Sequence, residues 1–242
     1  MKASLHDIEK LLEIQDLDTS IAKIKLSAST LPIHQEIADL VERRSHIADD
    51  LTAATTNYSD ATVASERAEA DVVPVRERLA RYVAKVEAAE MDPKALQSAI
   101  EEVAHLKSRI SDLEDVELLA METAEQAGQQ VEELKAETEQ IEVDLHGLVE
   151  ARDQEVSQLA AQARDLTGQR RETTSLISPE LLGLYEKVAA RANGVGIARL
   201  QGRRCSGCGL EATVADYNSY IAADPEQVIR CAECDRLLAR TP

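Results

Sequence analysis

Apolar residues recur at alternating intervals of four and three over two long stretches of this chain. The first series runs from Ile33 to Ala89, and fifteen of its seventeen positions are apolar or Tyr. The second runs from Ala99 to Leu148, and thirteen of its fifteen positions are apolar. A helix on a globular core shows a broader stripe, so a 4-3 repeat sustained over this length predicts the narrow seam of a coiled coil.

A short break separates the two series and predicts where the chain turns back. It spans residues 90–94, in which Asp92 precedes Pro93. Proline is unfavourable inside a helix but suits its first position, and Asp before it is a good N-cap. The two series therefore predict an antiparallel hairpin with its tip at 90–94, in which residue i faces about residue 185 − i.

Two irregularities predict a kink in this hairpin. Pro32 interrupts the first arm and, by the same relation, faces Asp153. Near Asp153 the second series stutters after Leu148, and a stutter locally unwinds a supercoil. We expect a kink near 32/153, within a coiled-coil domain that extends over residues 1–178.

The composition agrees with narrow helical seams and argues against an enzyme. The 242 residues include no Trp, no Phe and five Tyr, and the 44% hydrophobic fraction consists mostly of Ala, Leu, Val and Ile. Small-molecule sites are concave and are lined by apolar and aromatic side chains. We therefore expect no catalytic residues, no small-molecule substrate and no enzymatic activity.

No segment of the sequence predicts insertion into a membrane. The charged, amphipathic N-terminus lacks the apolar core of a signal peptide. No run of about 20 apolar residues is present to span a bilayer. We expect a cytoplasmic protein without membrane contact.

Start and stop signals define a short helix after the hairpin. Ser178 is a suitable N-cap followed by Pro, and the Asn-Gly pair at 193–194 is a typical C-terminal stop. Residues 179–194 are thus predicted to form a linker helix. The segment that follows has the character of a strand and leads into a small domain over residues 195–242.

All four cysteines lie in this small domain, in two Cys-x-x-Cys pairs. The pairs are Cys205/Cys208 and Cys231/Cys234, separated by 22 residues. Two such pairs supply the four thiolates of a tetrahedral site that suits zinc. Two disulfides are typical of small secreted scaffolds, whereas this chain is long, acidic and has no signal peptide. A redox-active Cys-x-x-Cys pair would need a thioredoxin-like βαβ context, which is absent. We predict a zinc ribbon with short β-strands and one structural Zn²⁺, with no coordination position left for catalysis.

Charge is unevenly distributed along the chain. The formal net charge is −18, and residues 181–242 hold 7 acidic and 8 basic side chains, which leaves 38 and 19 for the rest. Because nucleic-acid binding depends on Lys and Arg, only the C-terminal end is a candidate for contacting RNA or DNA. Its basic and aromatic candidates are Arg199, Arg203, Arg204, Arg230, Arg236, Tyr217 and Tyr220.

Two interpretations of these candidates remain open. The arginines and tyrosines could form a phosphate-binding surface with stacking rings. Alternatively, the arginines offset the formal charge of a zinc tetrathiolate, and the tyrosines fill a small core.

Three segments of the chain resemble one bacterial protein family. They are residues 11–18 (LLEIQDLD), 92–102 (DPKALQSAIEE) and 184–208, which includes LYEKV, GVGIARL and the first Cys-x-x-Cys. The family comprises four-cysteine zinc-ribbon proteins carried on a coiled-coil hairpin. The resemblance implies a long, kinked hairpin that ends in a zinc ribbon. Family members are described as nucleic-acid-binding proteins, and some as adaptors or chaperones that contact a sigma factor, secretion or flagellar components, or mRNA.

Together these features predict a non-enzymatic adaptor. Its hairpin would bind a protein partner, in the transcription or secretion machinery, and its ribbon would engage nucleic acid or a transcription component.

An alternative makes the acidic hairpin tip the functional end. Glu87, Glu90 and Asp92 flank the turn. An acidic coiled-coil tip beside a four-cysteine zinc module looks like the RNA-polymerase secondary-channel regulators of the Gre and DksA types, in which carboxylates act near the polymerase's own Mg²⁺.

Overall fold

The computed structural model describes residues 1–88 and 90–240. Ala89, the last position of the first apolar series, and residues 241–242, at the end of the predicted small domain, lie outside the described residues. The elements in chain order are α1 (Leu5–Ser29), α2 (Ile33–Ala88), α3 (Pro93–Thr174), α4 (Pro179–Arg191), β1 (Ile197–Gln201), β2 (Arg204–Cys205), α5 (Val214–Ala222), β3 (Ile229–Arg230) and β4 (Leu237–Arg240).

The predicted fold class is confirmed: the chain is mainly helical, with a long helical hairpin followed by a small region of short strands. Contacts divide it into two compact units, one formed by residues 35–149 and the other by residues 1–34 and 150–242. No helix within the described residues is both long enough and apolar enough to cross a membrane.

The first unit is the hairpin of α2 and α3, and its core is the predicted seam. All described positions of the two 4-3 series are buried or half-buried except Arg44 and Tyr58. Since two helices cover only a narrow strip of each other, the rest of their surface stays exposed. The buried side chains of this unit are Ile47, Ala54, Ala68, Val72, Ala99, Leu106, Ile110, Val131, Ile141 and Leu145.

Ion pairs between the arms follow the predicted antiparallel register. Each partner lies within about five residues of the position that the relation i ↔ 185 − i gives. The pairs are Arg43 with Glu137, Arg76 with Glu114 at 2.6 Å, and Arg78 with Glu102 at 2.7 Å.

Asp92 caps the second arm as predicted. Its carboxylate oxygen Oδ1 accepts hydrogen bonds from the backbone N–H groups of Lys94 and Ala95, both at 3.0 Å. These bonds satisfy donors that the first turn of a helix would otherwise leave without partners. The capped helix α3 begins at Pro93.

The interruption near residue 32 is confined to the first arm. Helix α1 ends at Ser29 and α2 begins at Ile33, so that Pro32 lies in the break between them. Helix α3 continues through Asp153 without a break.

The second unit is built on a four-stranded sheet of order β2-β1-β4-β3. Strands β1 and β4 are parallel, with Ile197 opposite Leu237, and the two outer pairings are antiparallel. Helices α1 and α4 pack against this sheet. The largest fully buried side chains of the resulting core are Leu11, Ile14, Leu181, Tyr185, Ile197 and Leu237.

Helix α4 begins and ends at the predicted signals. The hydroxyl of Ser178 accepts the backbone N–H of Leu181 at 3.3 Å. Beyond the last turn, Asn193 and Gly194 have φ values of 54° and 84°, the left-handed conformation that ends a helix.

Candidate metal centre

The first cysteine pair lies on a tight turn after β2. The Cys205 carbonyl accepts the backbone N–H of Gly209 at 2.8 Å, and the Cys205 N–H donates to the carbonyl of Leu210 at 3.0 Å. Gly209 has a φ of 75°, which glycine adopts without a steric penalty. These bonds direct both sulfur atoms of the pair to the same side of the turn.

The second pair repeats this turn before β4. The Cys231 carbonyl accepts the N–H of Asp235 at 2.9 Å, and the Cys231 N–H donates to the Arg236 carbonyl at 2.9 Å. Asp235 replaces the glycine and has a φ of 59°, a region that Asp tolerates better than most residues. The Arg230 guanidinium contacts both carboxylate oxygens of Asp235, at 3.0 and 2.9 Å.

The two turns bring the four sulfur atoms within 4.8 Å of one another. Two of the separations, Cys205 to Cys234 and Cys208 to Cys231, are 4.0 Å. A zinc–sulfur bond of about 2.3 Å gives a tetrahedral edge of about 3.8 Å, whereas the sulfur atoms of a disulfide lie about 2.0 Å apart. All four cysteines are free thiols. Their arrangement therefore fits one tetrahedral metal ion and not two disulfides.

The protein environment affects the four thiols unequally. Burial raises the pKa of Cys231 to about 12, and it also raises the pKa of Cys205. Burial acts in the same direction at Cys234, but hydrogen bonds from the backbone and side chain of Arg236, and then from the Cys231 and Cys208 side chains, outweigh it and lower that pKa to about 7. A bound cation would favour the thiolate form of all four, because metal coordination deprotonates a thiol.

Arg236 also connects the second turn to the end of α4. Its Nη2 donates to the carbonyl of Ala192 at 2.9 Å, and its Nε donates to the carbonyl of Val195 at 3.1 Å. A Cβ at Gly207, in the first turn, would lie 2.6 Å from the Arg236 Cδ. The side chain thus packs over one cysteine turn and hydrogen-bonds the segment that leads into β1.

The other predicted phosphate-binding arginines also contact acceptors of this chain. These arginines are partly exposed, and each lies close to a carboxylate that offsets part of its positive charge, although Arg203 and Arg204 share one carboxylate. The pairs are Arg199 with Asp16 at 3.5 Å, Arg203 with Glu211 at 3.2 Å, Arg204 with Glu211 at 3.5 Å and Arg230 with Asp235 at 2.9 Å.

The two predicted stacking tyrosines contribute to the ribbon core. Tyr220 is 7% exposed, and its hydroxyl accepts the backbone N–H of Ala232 at 2.9 Å. Tyr217 is half-buried against the same cluster. The Tyr220 ring is consequently not accessible for stacking on a base.

The acidic residues at the tip are exposed, but one of them has a structural role. Glu87, Glu90 and Asp92 all face solvent. The Asp92 carboxylate is occupied by the first turn of α3.

Sequence reasoning missed a polar cluster that joins α1 to α4 and to the turn between α4 and β1. Gln15, on the apolar face of α1, is buried, and its amide bonds the backbone at Gly194 and Gly196. The hydroxyl of Tyr185 donates to the Asp18 carboxylate at 2.8 Å. The only sequence signal for these residues was that they lie in segments 11–18 and 184–208, two of the three segments that resemble the zinc-ribbon family.

Comparison with known proteins places the chain in a family. A sequence model described as the CT398-like coiled coil hairpin domain matches residues 14–193. The chain belongs to this family. The match to the CT398-like hairpin domain confirms the coiled-coil part of the resemblance and ends before the first cysteine.

Relatives of the CT398-like chain align with it along nearly its whole length. The uncharacterized protein Rv2229c of Mycobacterium tuberculosis is 30% identical over 99% of this chain and 98% of its own length. A structurally characterized protein of Mycobacterium smegmatis has 26% identity and a TM-score of 0.80, covering 98% of this chain and 99% of its own.

Two more distant structures share the fold. CT398 of Chlamydia trachomatis has 17% identity and a TM-score of 0.66, over 98% of this chain and 99% of its own. HP0958 of Helicobacter pylori has 16% identity and a TM-score of 0.54, over 98% of each chain.

Proposed function

We propose that this protein is a non-enzymatic adaptor of the cytoplasm. One structural Zn²⁺ stabilises its C-terminal ribbon, and its hairpin binds a protein partner. The observation that carries the proposal is the cluster of four free cysteines within 4.8 Å. Four protein thiolates complete a tetrahedral zinc site and leave no position for water or substrate.

Zinc is the metal that this donor set favours. Four thiolates in tetrahedral arrangement suit zinc or an iron–sulfur centre, and sulfur separations of 4.0 Å match a single ion at their centre. When bound, the ion would hold the two turns together and provide folding free energy to a small domain. Free thiols are also typical of the reducing cytoplasm.

A protein partner agrees better with the electrostatics than nucleic acid does. The net charge of −18 opposes phosphate, and the ribbon arginines are engaged with carboxylates and carbonyl groups of this chain. The hairpin, in contrast, exposes most of the surface of two helices of 56 and 82 residues. We therefore assign partner binding to the hairpin and a structural role to the ribbon.

Affinity purification of the full chain from native lysate, with and without nuclease, tests this proposal. We expect about one zinc per chain by elemental analysis, and protein partners that are retained after nuclease treatment. Cys231→Ser should release the metal. The proposal is wrong if native protein holds iron or no metal, or if all copurifying material is lost with nuclease.

An Arg203→Ala/Arg204→Ala variant separates the two classes of partner. Under the proposal, it retains the same proteins as the wild type. If the wild type instead binds RNA with an affinity that falls steeply with salt, and the variant does not, then the ribbon is a nucleic-acid module.

A further inference from the structure

A groove runs along one side of the hairpin, midway between the tip and residue 35. It consists of two adjoining hollows of about 700 and about 360 Å³, which share Tyr58 and Gly128. We call it the mid-hairpin groove. Its main lining side chains are Tyr58, Glu66 and Glu69 of α2 and Glu125, Val131 and Glu132 of α3.

Tyr58 is an exposed aromatic ring at a position that the heptad pattern assigns to the seam. Its relative exposure is 42%, whereas the neighbouring seam residue Ala54 is 3% exposed. The ring lies over Gly128, where an added Cβ would be 3.1 Å from Cε2. An amphipathic ring that is held at the surface in this way is typical of the anchors of protein interfaces.

Toward the tip, two exposed apolar side chains lie on the face of α3 that lines the groove. Leu118 and Met121 precede Glu125 and Gly128 at spacings of three and four, which places all four on one face of α3. Leu118 is 59% exposed and Met121 is 52% exposed. Exposed large apolar side chains that are contiguous with a groove are typical of an interaction surface.

The rim of the groove carries uncompensated negative charge. Among the residues lining the two hollows, Lys135 is the one basic side chain, and it pairs with Glu132 at 2.7 Å. Within the described residues, no ion pair forms with the exposed Glu66, Glu69, Glu125 or Glu133. The α3 sequence between Arg109 and Lys135 contains no Lys or Arg.

We infer that the mid-hairpin groove binds a basic, amphipathic helical segment of a protein partner. Its apolar face would pack on Tyr58 and Met121, and its Lys and Arg side chains would pair with the glutamates of the rim. A second copy of this chain fits poorly, because its own acidic hairpin would face the same glutamates. The inference rests on the proposed adaptor function and specifies the partner's chemistry.

Titration of the full chain with a fluorescent helical peptide tests this inference. The probe is a 21-residue peptide of Leu and Lys whose leucines occupy one helical face, and the control peptide has Glu in place of Lys. We expect saturable binding of the Lys peptide and no binding of the Glu peptide. Replacing Glu66, Glu69, Glu125 and Glu133 with Gln should weaken binding about tenfold or more, and Tyr58→Ala should weaken it about tenfold.

A matched variant distinguishes the groove from general charge attraction. Asp49→Asn/Asp60→Asn/Asp71→Asn/Asp112→Asn removes the same charge from exposed positions that do not line the hollows, and it should bind like the wild type. Far-UV circular dichroism verifies that every variant is helical. Equal weakening in both fourfold variants, or no binding by the wild type, would overturn the inference.

Two further outcomes separate this inference from the proposed function. If the wild type and the groove variant recover the same proteins from lysate, the groove inference fails and the adaptor function stands. If sedimentation shows a dimeric wild type that Tyr58→Ala converts to a monomer, the groove binds a second copy and the inference is also wrong.

Discussion

Gln15 accepts the backbone N–H of Gly196 on its side-chain Oε1 at 2.7 Å. Its Nε2 donates to the Gly194 carbonyl at 3.0 Å, so one buried amide holds both sides of the turn between α4 and β1. The bond joins residues 181 positions apart. It therefore fixes the first helix of the chain to the segment that leads to the cysteines.

Replacing Gln15 with Leu should destabilise the unit formed by residues 1–34 and 150–242. The substitution preserves the approximate size of the side chain but leaves the buried Gly196 N–H without its partner. A buried polar group left unsatisfied costs about 1–3 kcal/mol, so we expect a loss of about that size in the free energy of unfolding. Urea denaturation followed by tyrosine circular dichroism measures it.

Gln35→Leu is the matched control for this substitution. Gln35 is exposed and donates to the Asp39 carboxylate, where water can replace it. We expect a change below about 0.5 kcal/mol. Equal effects of the two substitutions would show that the Gln15 amide has no special role.

Gly196→Ala should also be destabilising, for a steric reason. An added Cβ would lie 2.6 Å from the Tyr185 ring and 2.7 Å from the Tyr185 carbonyl oxygen. Since the ring is fully buried, it cannot move aside without disturbing the core, and we expect a cost of about 1–3 kcal/mol. The melting temperature of the variant gives the measurement.

Gly183→Ala provides the comparison in the same unit. This glycine lies inside α4, and nothing is within 4 Å of an added Cβ. Alanine has the higher helix propensity, so the free energy of unfolding should rise by up to about 1 kcal/mol. A loss of stability at Gly183 as large as at Gly196 would contradict the steric explanation.

The sequence predicted the helical elements closely because their signals are local. The 4-3 spacing identified the seam from Ile47 to Leu145, and the Ser178 N-cap identified the start of α4. The cysteine spacing likewise predicted the four-sulfur cluster. Each of these patterns depends on residues that are close in sequence, or on one side-chain chemistry that allows few arrangements.

The contacts that local patterns did not reveal join distant segments. The N-terminal backbone pairs with the ribbon, where the N–H of Ala3 donates to the Glu226 carbonyl at 2.7 Å. The sequence left open whether the tyrosines stack on bases or fill a small core, and the burial of Tyr220 agrees with the second interpretation. Nothing in the sequence indicates that Arg236 donates a hydrogen bond to the carbonyl of Ala192. Such contacts depend on tertiary packing, which periodicity does not encode.

Stability should fall at alkaline pH because of Tyr185. Burial, and next its hydrogen bond to Asp18, raise the pKa of this tyrosine above its ordinary value of 10. The folded state thus keeps a proton that an unfolded tyrosine loses above about pH 10. The contribution of the protonated Tyr185 to the free energy of unfolding is complete below that pH. It decreases as pH rises further, by up to about 1.4 kcal/mol per pH unit.

Urea midpoints of the wild type and Tyr185→Phe between pH 9 and pH 11 measure this effect. The variant should lose less stability above about pH 10 than the wild type does. Some dependence will remain, because burial also raises the pKa of Tyr220. Parallel pH curves for the two proteins would contradict the prediction.

Removing the metal should unfold the ribbon and leave the hairpin helical. Structural zinc supplies folding free energy, so a chelator at neutral pH should release the two cysteine turns and, with them, the Arg236 bonds to Ala192 and Val195. Trypsin should then cleave after Arg203 and Arg204 much faster than in the metal-bound protein. Mass spectrometry of the timed digest identifies these sites.

The hairpin arms provide the internal control for that digest. Residues 35–149 form a compact unit with their own buried seam, so cleavage after the exposed Arg67 should be unaffected by the chelator. Helical circular dichroism should likewise retain most of its amplitude. If the chelator leaves cleavage after Arg203 and Arg204 unchanged, the ribbon folds without metal. If cleavage after Arg67 accelerates equally, the metal stabilises the whole chain and not the ribbon alone.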